Sequence, residues 1–149
     1  MKLFKHLIFV ACCFVGTVNA ATTQAFKDAA SVATSATNNV RLKCVPHAKS
    51  LDTFIKANAV KYGIKSYTYY EIKNINPNTP FMIHDDYSSS SPISDNGRHV
   101  IVIVDGEVFD NHHPKGLIKA SWDSKLHNPA GIYPTGFTTT PISNIQQAQ

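Results

Sequence analysis

Beyond residue 13 the chain keeps one thiol, Cys44, and the residues able to turn it into a nucleophile are His99 and Asp110. A thiol attacks carbonyl carbon as the thiolate, so it needs a base or a positive charge beside it. An imidazole supplies both once a carboxylate fixes its tautomer and steadies the imidazolium. A count along the chain brings two of the three together. His99 to Val104 and Glu107 to Asp110 read as strands, and Asp105-Gly106 between them reads as a two-residue hairpin turn. Val104 then faces Glu107, and Ile101 faces Asp110. Side chains alternate along a strand, so His99, Ile101, Ile103 and Asp110 share one face. His99 and Asp110 become diagonal neighbours, at a backbone spacing of about 7–8 Å that lets imidazole and carboxylate meet.

The thiol must come from another element. Pro46 suits a first helical turn, and Ala48, Leu51, Phe54, Ile55, Ala59 and Tyr62 follow a helical period that Gly63 ends, which predicts a helix with Cys44 at its N-terminal lip. Unpaired N–H groups and the positive end of the helix dipole favour a thiolate there, and the Cys44 N–H is the natural donor to an oxyanion. Asn38 and Asn39 are candidates for a further amide donor. An Ala-rich segment from Thr22 to about Thr37 predicts a modest amphipathic helix. Ile64 to Lys73 and Phe81 to Ile83 read as strands, the stretch from Asp85 to Arg98 as a surface loop, and the chain past Pro129 as irregular or partly disordered.

At the N-terminus, Lys2 and Lys5 precede an apolar run from Leu7 to Val18 that leads to Val18-Asn19-Ala20, the layout of a secretory signal peptide. The run is too short for a stable membrane anchor. Cleavage after Ala20 removes Cys12 and Cys13, so Cys44 is left as a reactive thiol, an intermolecular bridge or a core residue. Removing Lys2 and Lys5 also leaves 12 of the 14 Lys and Arg against 10 acids. A balance so near neutral, without basic runs, excludes nucleic acid as the expected partner. The organisation expected is a leader over 1–20, a helical segment over 21–41, a catalytic domain over 42–128 and a tail over 129–149.

Asn96-Gly97-Arg98-His99-Val100, then Val102 to Asn111, then His113-Pro114-Lys115-Gly116, with Lys43-Cys44-Val45 before and Ser121-Trp122 after, resemble the papain-fold toxin domains of bacterial polymorphic toxin systems, in particular papain fold toxin 2. The likeness runs from about Leu42 to Asn128. It implies an α+β papain-like fold, with a Cys-bearing helix packed on a small antiparallel sheet that carries the His and the Asp. It also implies Cys44, His99 and Asp110 as the catalytic positions of a cysteine hydrolase or acyltransferase: a peptidase, amidase or protein deamidase acting through a thioester. A toxin or effector of this kind has a protein, peptide or amide substrate, a target in a host or competitor, and an immunity protein. The rival readings are a peptidoglycan-cleaving cysteine peptidase of the periplasm and a non-catalytic binding protein on a degenerate scaffold. No cofactor is expected. His84, Asp85, Asp86, His112 and His113 lack the helical His spacing of common zinc enzymes, so no metal is expected either. His47 reads as solvent-facing; His112 faces His99 and lines the site mouth if the ladder continues, and is otherwise exposed.

Overall fold

The computed structural model describes residues 21–87 and 91–149. The expected leader lies outside the described residues. Helix α1 (Gln24–Ala33) is capped by Thr23, whose hydroxyl accepts the Phe26 N–H at 3.2 Å. It ends sooner than the Ala spacing predicts. The Thr34 hydroxyl donates back to the Ala30 carbonyl at 3.0 Å, and the chain tightens into a 3-10 turn at Ser35–Thr37. Helix α2 (Cys44–Tyr62) starts at Cys44 itself and stops where Gly63 takes the left-handed conformation, φ 68°.

Among the described residues the strands are β1 (Tyr67–Asn74), β2 (Ile83–His84), β3 (Arg98–Val104), β4 (Glu107–Asp110), β5 (His113–Ile118), β6 (Leu126–Asn128), β7 (Gly131–Ile132) and β8 (Phe137–Ile142), with a short helix α3 (Lys119–Asp123) after β5. The main sheet runs β5-β4-β3-β1-β8, antiparallel throughout, and β2-β6-β7 form a smaller sheet. The β3–β4 hairpin has the register counted from the sequence: Val104 pairs with Glu107, Ile103 with Val108 and Val102 with Phe109. Asp105 and Gly106 both have positive φ, 46° and 87°, as a type I′ turn requires. The Asp105 carboxylate accepts the Ser66 N–H at 2.8 Å and the Lys65 N–H at 3.1 Å, which pins the turn to the start of β1.

Both faces of the main sheet are covered. Val100, Val102 and Val104 turn to α1 and α2, where Phe26, Leu51, Ile55 and Phe109 close one core. Ile101 turns the other way, with Ile72, Val108, Trp122 and Leu126 in a second core. Each such side chain contributes about 1.5–3 kcal/mol relative to its exposed state. Burial on both faces is why β3 reads as an unbroken apolar run rather than an alternating one.

Two expectations fail here. The tail past Pro129 is not irregular, since β8 lies beside β1 and Gln146 donates to buried Asp52 at 2.7 Å. Its Thr-rich sequence looks solvent-bound because it is an edge strand: Phe137 is buried and the next four residues are exposed. β-branched Thr is nevertheless at home in a strand. The 85–98 loop is only partly on the surface, for Ile93 is buried and its N–H reaches the Met82 carbonyl at 2.8 Å.

Gly116 is required by packing as well as by its φ of 75°, because an added Cβ would lie 2.6 Å from the Phe109 ring. That ring meets Phe26 edge-on at 5.6 Å in the first core. Gly116→Ala should therefore lower stability by about 1–3 kcal/mol through overpacking, read as a lower urea midpoint. An unchanged midpoint would mean the β4–β5 corner has slack.

Candidate active site

Cys44 enters from the first turn of α2. It is partly buried, and it is the one cysteine among the described residues. As the first helical residue it has no carbonyl one turn back for its N–H. The ladder between β3 and β4 ends at the Val102–Phe109 pair, so the first residues of β3 are free of β4. There His99 and the backbone of Val100 and Val45 are the groups that favour the Cys44 thiolate.

His99 and Asp110 are both fully buried, with His99 Nε2 donating to Asp110 Oδ2 at 3.1 Å. That assignment leaves Nδ1 as the ring nitrogen available to the thiol, and Nδ1 makes no hydrogen bond. Asp110 is held from every side. Its Oδ2 also accepts the Trp122 indole N–H at 3.0 Å. Its Oδ1 accepts the N–H groups of His112 at 2.8 Å and His113 at 2.7 Å, and His113 Nδ1 at 3.0 Å. A register shift between Val108 and Asp110 on the β5 side bends the chain so that these two amides can reach back.

The charges follow from this geometry. Burial opposes ionisation of Asp110, yet His113 and His99 hold its carboxyl well below the usual carboxylate range. Burial alone would also lower His99, but Asp110 and Cys44 raise it to about 10. For Cys44, burial pushes the thiol up and His99, Val100 and Val45 bring it below its ordinary value. Three other histidines, His47, His84 and His112, are pushed down to about 4, chiefly by burial. The positive charge is thus concentrated on His99.

Several side chains differ from what the sequence suggested. His47 is buried rather than solvent-facing, with its ring on the Thr37 hydroxyl at 3.2 Å. It lies three residues after Cys44, on the helix face that Ala48 and Leu51 also bury. His112 is buried too, its ring 4.0 Å from that of Tyr87 and stacked at 6.3 Å on His99. Asn38 is spent on α1: its amide donates to the Ser31 carbonyl at 2.8 Å and its oxygen accepts from Thr34. Asn39 gives its backbone N–H to the Asn111 carbonyl at 2.5 Å. Asn111 holds the approach to Cys44 a second time, its side-chain amide donating to the Val40 carbonyl at 2.8 Å.

Trp122 and His113 carry the site without having been singled out for it. Trp122 is fully buried, stacks on His99 at 6.4 Å and gives Asp110 a hydrogen bond. The signal available was the family-like Ser121-Trp122 pair, but no count along the chain brings residue 122 to residue 110.

Cys44 opens onto a cleft of about 390 Å³, with Leu42, Pro46 and Lys49 on the helix side and Ile93, Asn96 and Arg98 opposite. A family model described as papain fold toxin 2 matches residues 27–127. The chain belongs to the papain fold toxin 2 family. No curated protein and no solved structure matches the chain. The papain fold toxin 2 match begins within α1, earlier than the Leu42 start of the motif-level resemblance, and α1 packs on the same core as α2. The fold is the expected α+β one, with Cys44 leading a helix and the His and Asp on an antiparallel sheet. The family is one of toxins on a papain-like cysteine-enzyme scaffold.

Proposed function

We propose that this papain fold toxin 2 protein is an acyl-group enzyme, a hydrolase or acyltransferase acting on amide carbonyls, with Cys44 as nucleophile, His99 as acid and base, and Asp110 as the group that orients His99. The observation that carries the reading is the buried His99–Asp110 hydrogen bond, which leaves His99 Nδ1 unbonded, together with Cys44 on the cleft, its thiol lowered chiefly by His99. The Cys44 thiolate adds to the carbonyl carbon, and the carbonyl π pair moves to oxygen, where the Cys44 N–H receives it. His99 passes its Nδ1 proton to the leaving nitrogen, the C–N bond breaks, and a thioester remains. Water or an amine then attacks; neutral His99 takes its proton, and Cys44 departs as the thiolate. Throughout, Asp110 keeps Nε2–H in place and the imidazolium charge compensated.

Membership in a toxin family supports a macromolecular target and an immunity protein in the producing cell. The tripartite N-terminal sequence supports export of the protein. Among the described residues, no helix is long and apolar enough to cross a membrane.

An activated ester tests the chemistry without knowledge of the substrate. With p-nitrophenyl acetate, the exported protein should release one burst of nitrophenolate per chain and gain one acetyl on the peptide that contains Cys44. The same intact-mass spectrum should place the N-terminus at Ala21. Acetylation that persists in Cys44→Ala would remove Cys44 as the nucleophile.

A further inference from the structure

On the far side of Asp110 from His99, a second group of side chains meets. His84, Asp86 and His113 each present a ligand atom, and these atoms all lie within 4.8 Å of one another. His113 Nε2 is 3.8 Å from Asp86 Oδ2, and the rings of His84 and His113 meet at 4.4 Å between centroids. In a tetrahedral zinc site with bonds of about 2.0–2.1 Å, neighbouring ligand atoms stand about 3.3–3.4 Å apart. Side-chain rotations of an ångström or less close the group to that size.

The surroundings are those of a metal site rather than a chance cluster. His113 donates its Nδ1–H to Asp110 Oδ1 at 3.0 Å, which fixes its tautomer and leaves the Nε2 lone pair facing Asp86. A carboxylate behind a ligating imidazole is the usual support of a metal-bound histidine. His84 is fully buried; its Nδ1 lies 3.4 Å from the Asp86 N–H, and its Nε2 has no hydrogen-bond partner, so ligation through Nε2 moves the ring proton to Nδ1. Asp86 lies at the rim with its side chain about a third exposed, so solvent reaches the open side. Lys125 binds Asp86 Oδ1 at 2.6 Å, which leaves Oδ2 turned toward the histidines.

We infer that His84, His113 and Asp86 form a site for a divalent transition metal of the zinc type, with water in the remaining position, tied to Asp110 through His113. Sequence spacing argued against a metal because the ligands come from the end of β2, the turn after it and the start of β5, not from one helix. The bound ion holds the turn after β2 against the corner that carries Asp110.

The test uses tag-free protein carrying Cys44→Ala, so that no thiolate competes for the ion. Titration with Zn2+ alone should reveal one saturable site per chain, and Co2+ should give the visible absorption of a four-coordinate N/O site. His84→Ala should abolish both. Asp86→Asn, an isosteric change at an exposed position, should weaken Zn2+ binding by at least about tenfold while the protein stays folded, since even outer-shell changes cost that much. Absence of saturable uptake, or uptake that Asp86→Asn leaves unchanged, would overturn the site.

Discussion

His99→Ala should slow alkylation of Cys44 by iodoacetamide at pH 6 by about tenfold or more. An unassisted thiol with a pKa near 8.5 is only about 0.3 % thiolate at that pH. The higher intrinsic nucleophilicity of a more basic thiolate recovers part of the loss, because reactivity rises with about the 0.4–0.5 power of basicity. In the native protein His99 holds the Cys44 thiol below its ordinary value despite burial. The sign follows: a lowered thiol pKa moves the rise of rate with pH to lower pH, and removal of His99 moves it back up. His47 and His112 cannot substitute, since burial keeps both neutral until about pH 4. Superimposable rate–pH curves for the two proteins would remove the ion pair from the account.

Asp110→Asn should cost about two or more orders of magnitude in the rate of the acyl-transfer step, by comparison with the loss of an orienting acid elsewhere. An amide often substitutes for a carboxylate that only orients a ring. Here it cannot do so cleanly, because all five groups around Asp110 are donors: His99, Trp122, the two amides and His113. Whichever way the introduced carboxamide is turned, its NH2 faces at least two N–H groups. Leaving buried donors unpaired costs roughly 1–3 kcal/mol each, so stability should fall as well. Asn111→Ala separates the two effects. It frees the Val40 carbonyl and loosens the approach to Cys44, so it should weaken stability by about 1 kcal/mol with a smaller loss of rate. Rates for Asp110→Asn within a few-fold of native, in a folded protein, would mean that the carboxylate is structural.

The sequence carried the parts of this site that depend on local periodicity. A two-residue turn and alternation along two strands put Asp110 on the face of His99, and the structure has that register. The helix Cys44–Tyr62 was legible because its apolar period, Pro46 and the glycine that follows agree. What stayed hidden is what depends on long-range packing. His47 shares the inner helix face with Ala48 and Leu51, but a polar residue beside a proline looks solvent-facing until a second layer covers it. Trp122 reaches Asp110 only because β5 and α3 fold back over the second core. The β8 strand is hard to read because an edge strand shows its polar Thr face and buries little more than Phe137.

The most direct measurement is the protonation state of His99, read from the side-chain 15N and 1H resonances of its imidazole at pH 8. The expected species is an imidazolium, with protons on both ring nitrogens and Nε2–H engaged by Asp110, because Asp110 and Cys44 raise the folded pKa to about 10. The charge is then present well above the ordinary histidine range and is lost only as pH rises through about 10. In Cys44→Ala, where the thiolate partner is gone, the same ring should give up its proton at lower pH. A neutral His99 in the native protein at pH 8, titrating near 6.5 and indifferent to Cys44→Ala, would contradict the thiolate–imidazolium pair on which the proposed chemistry rests.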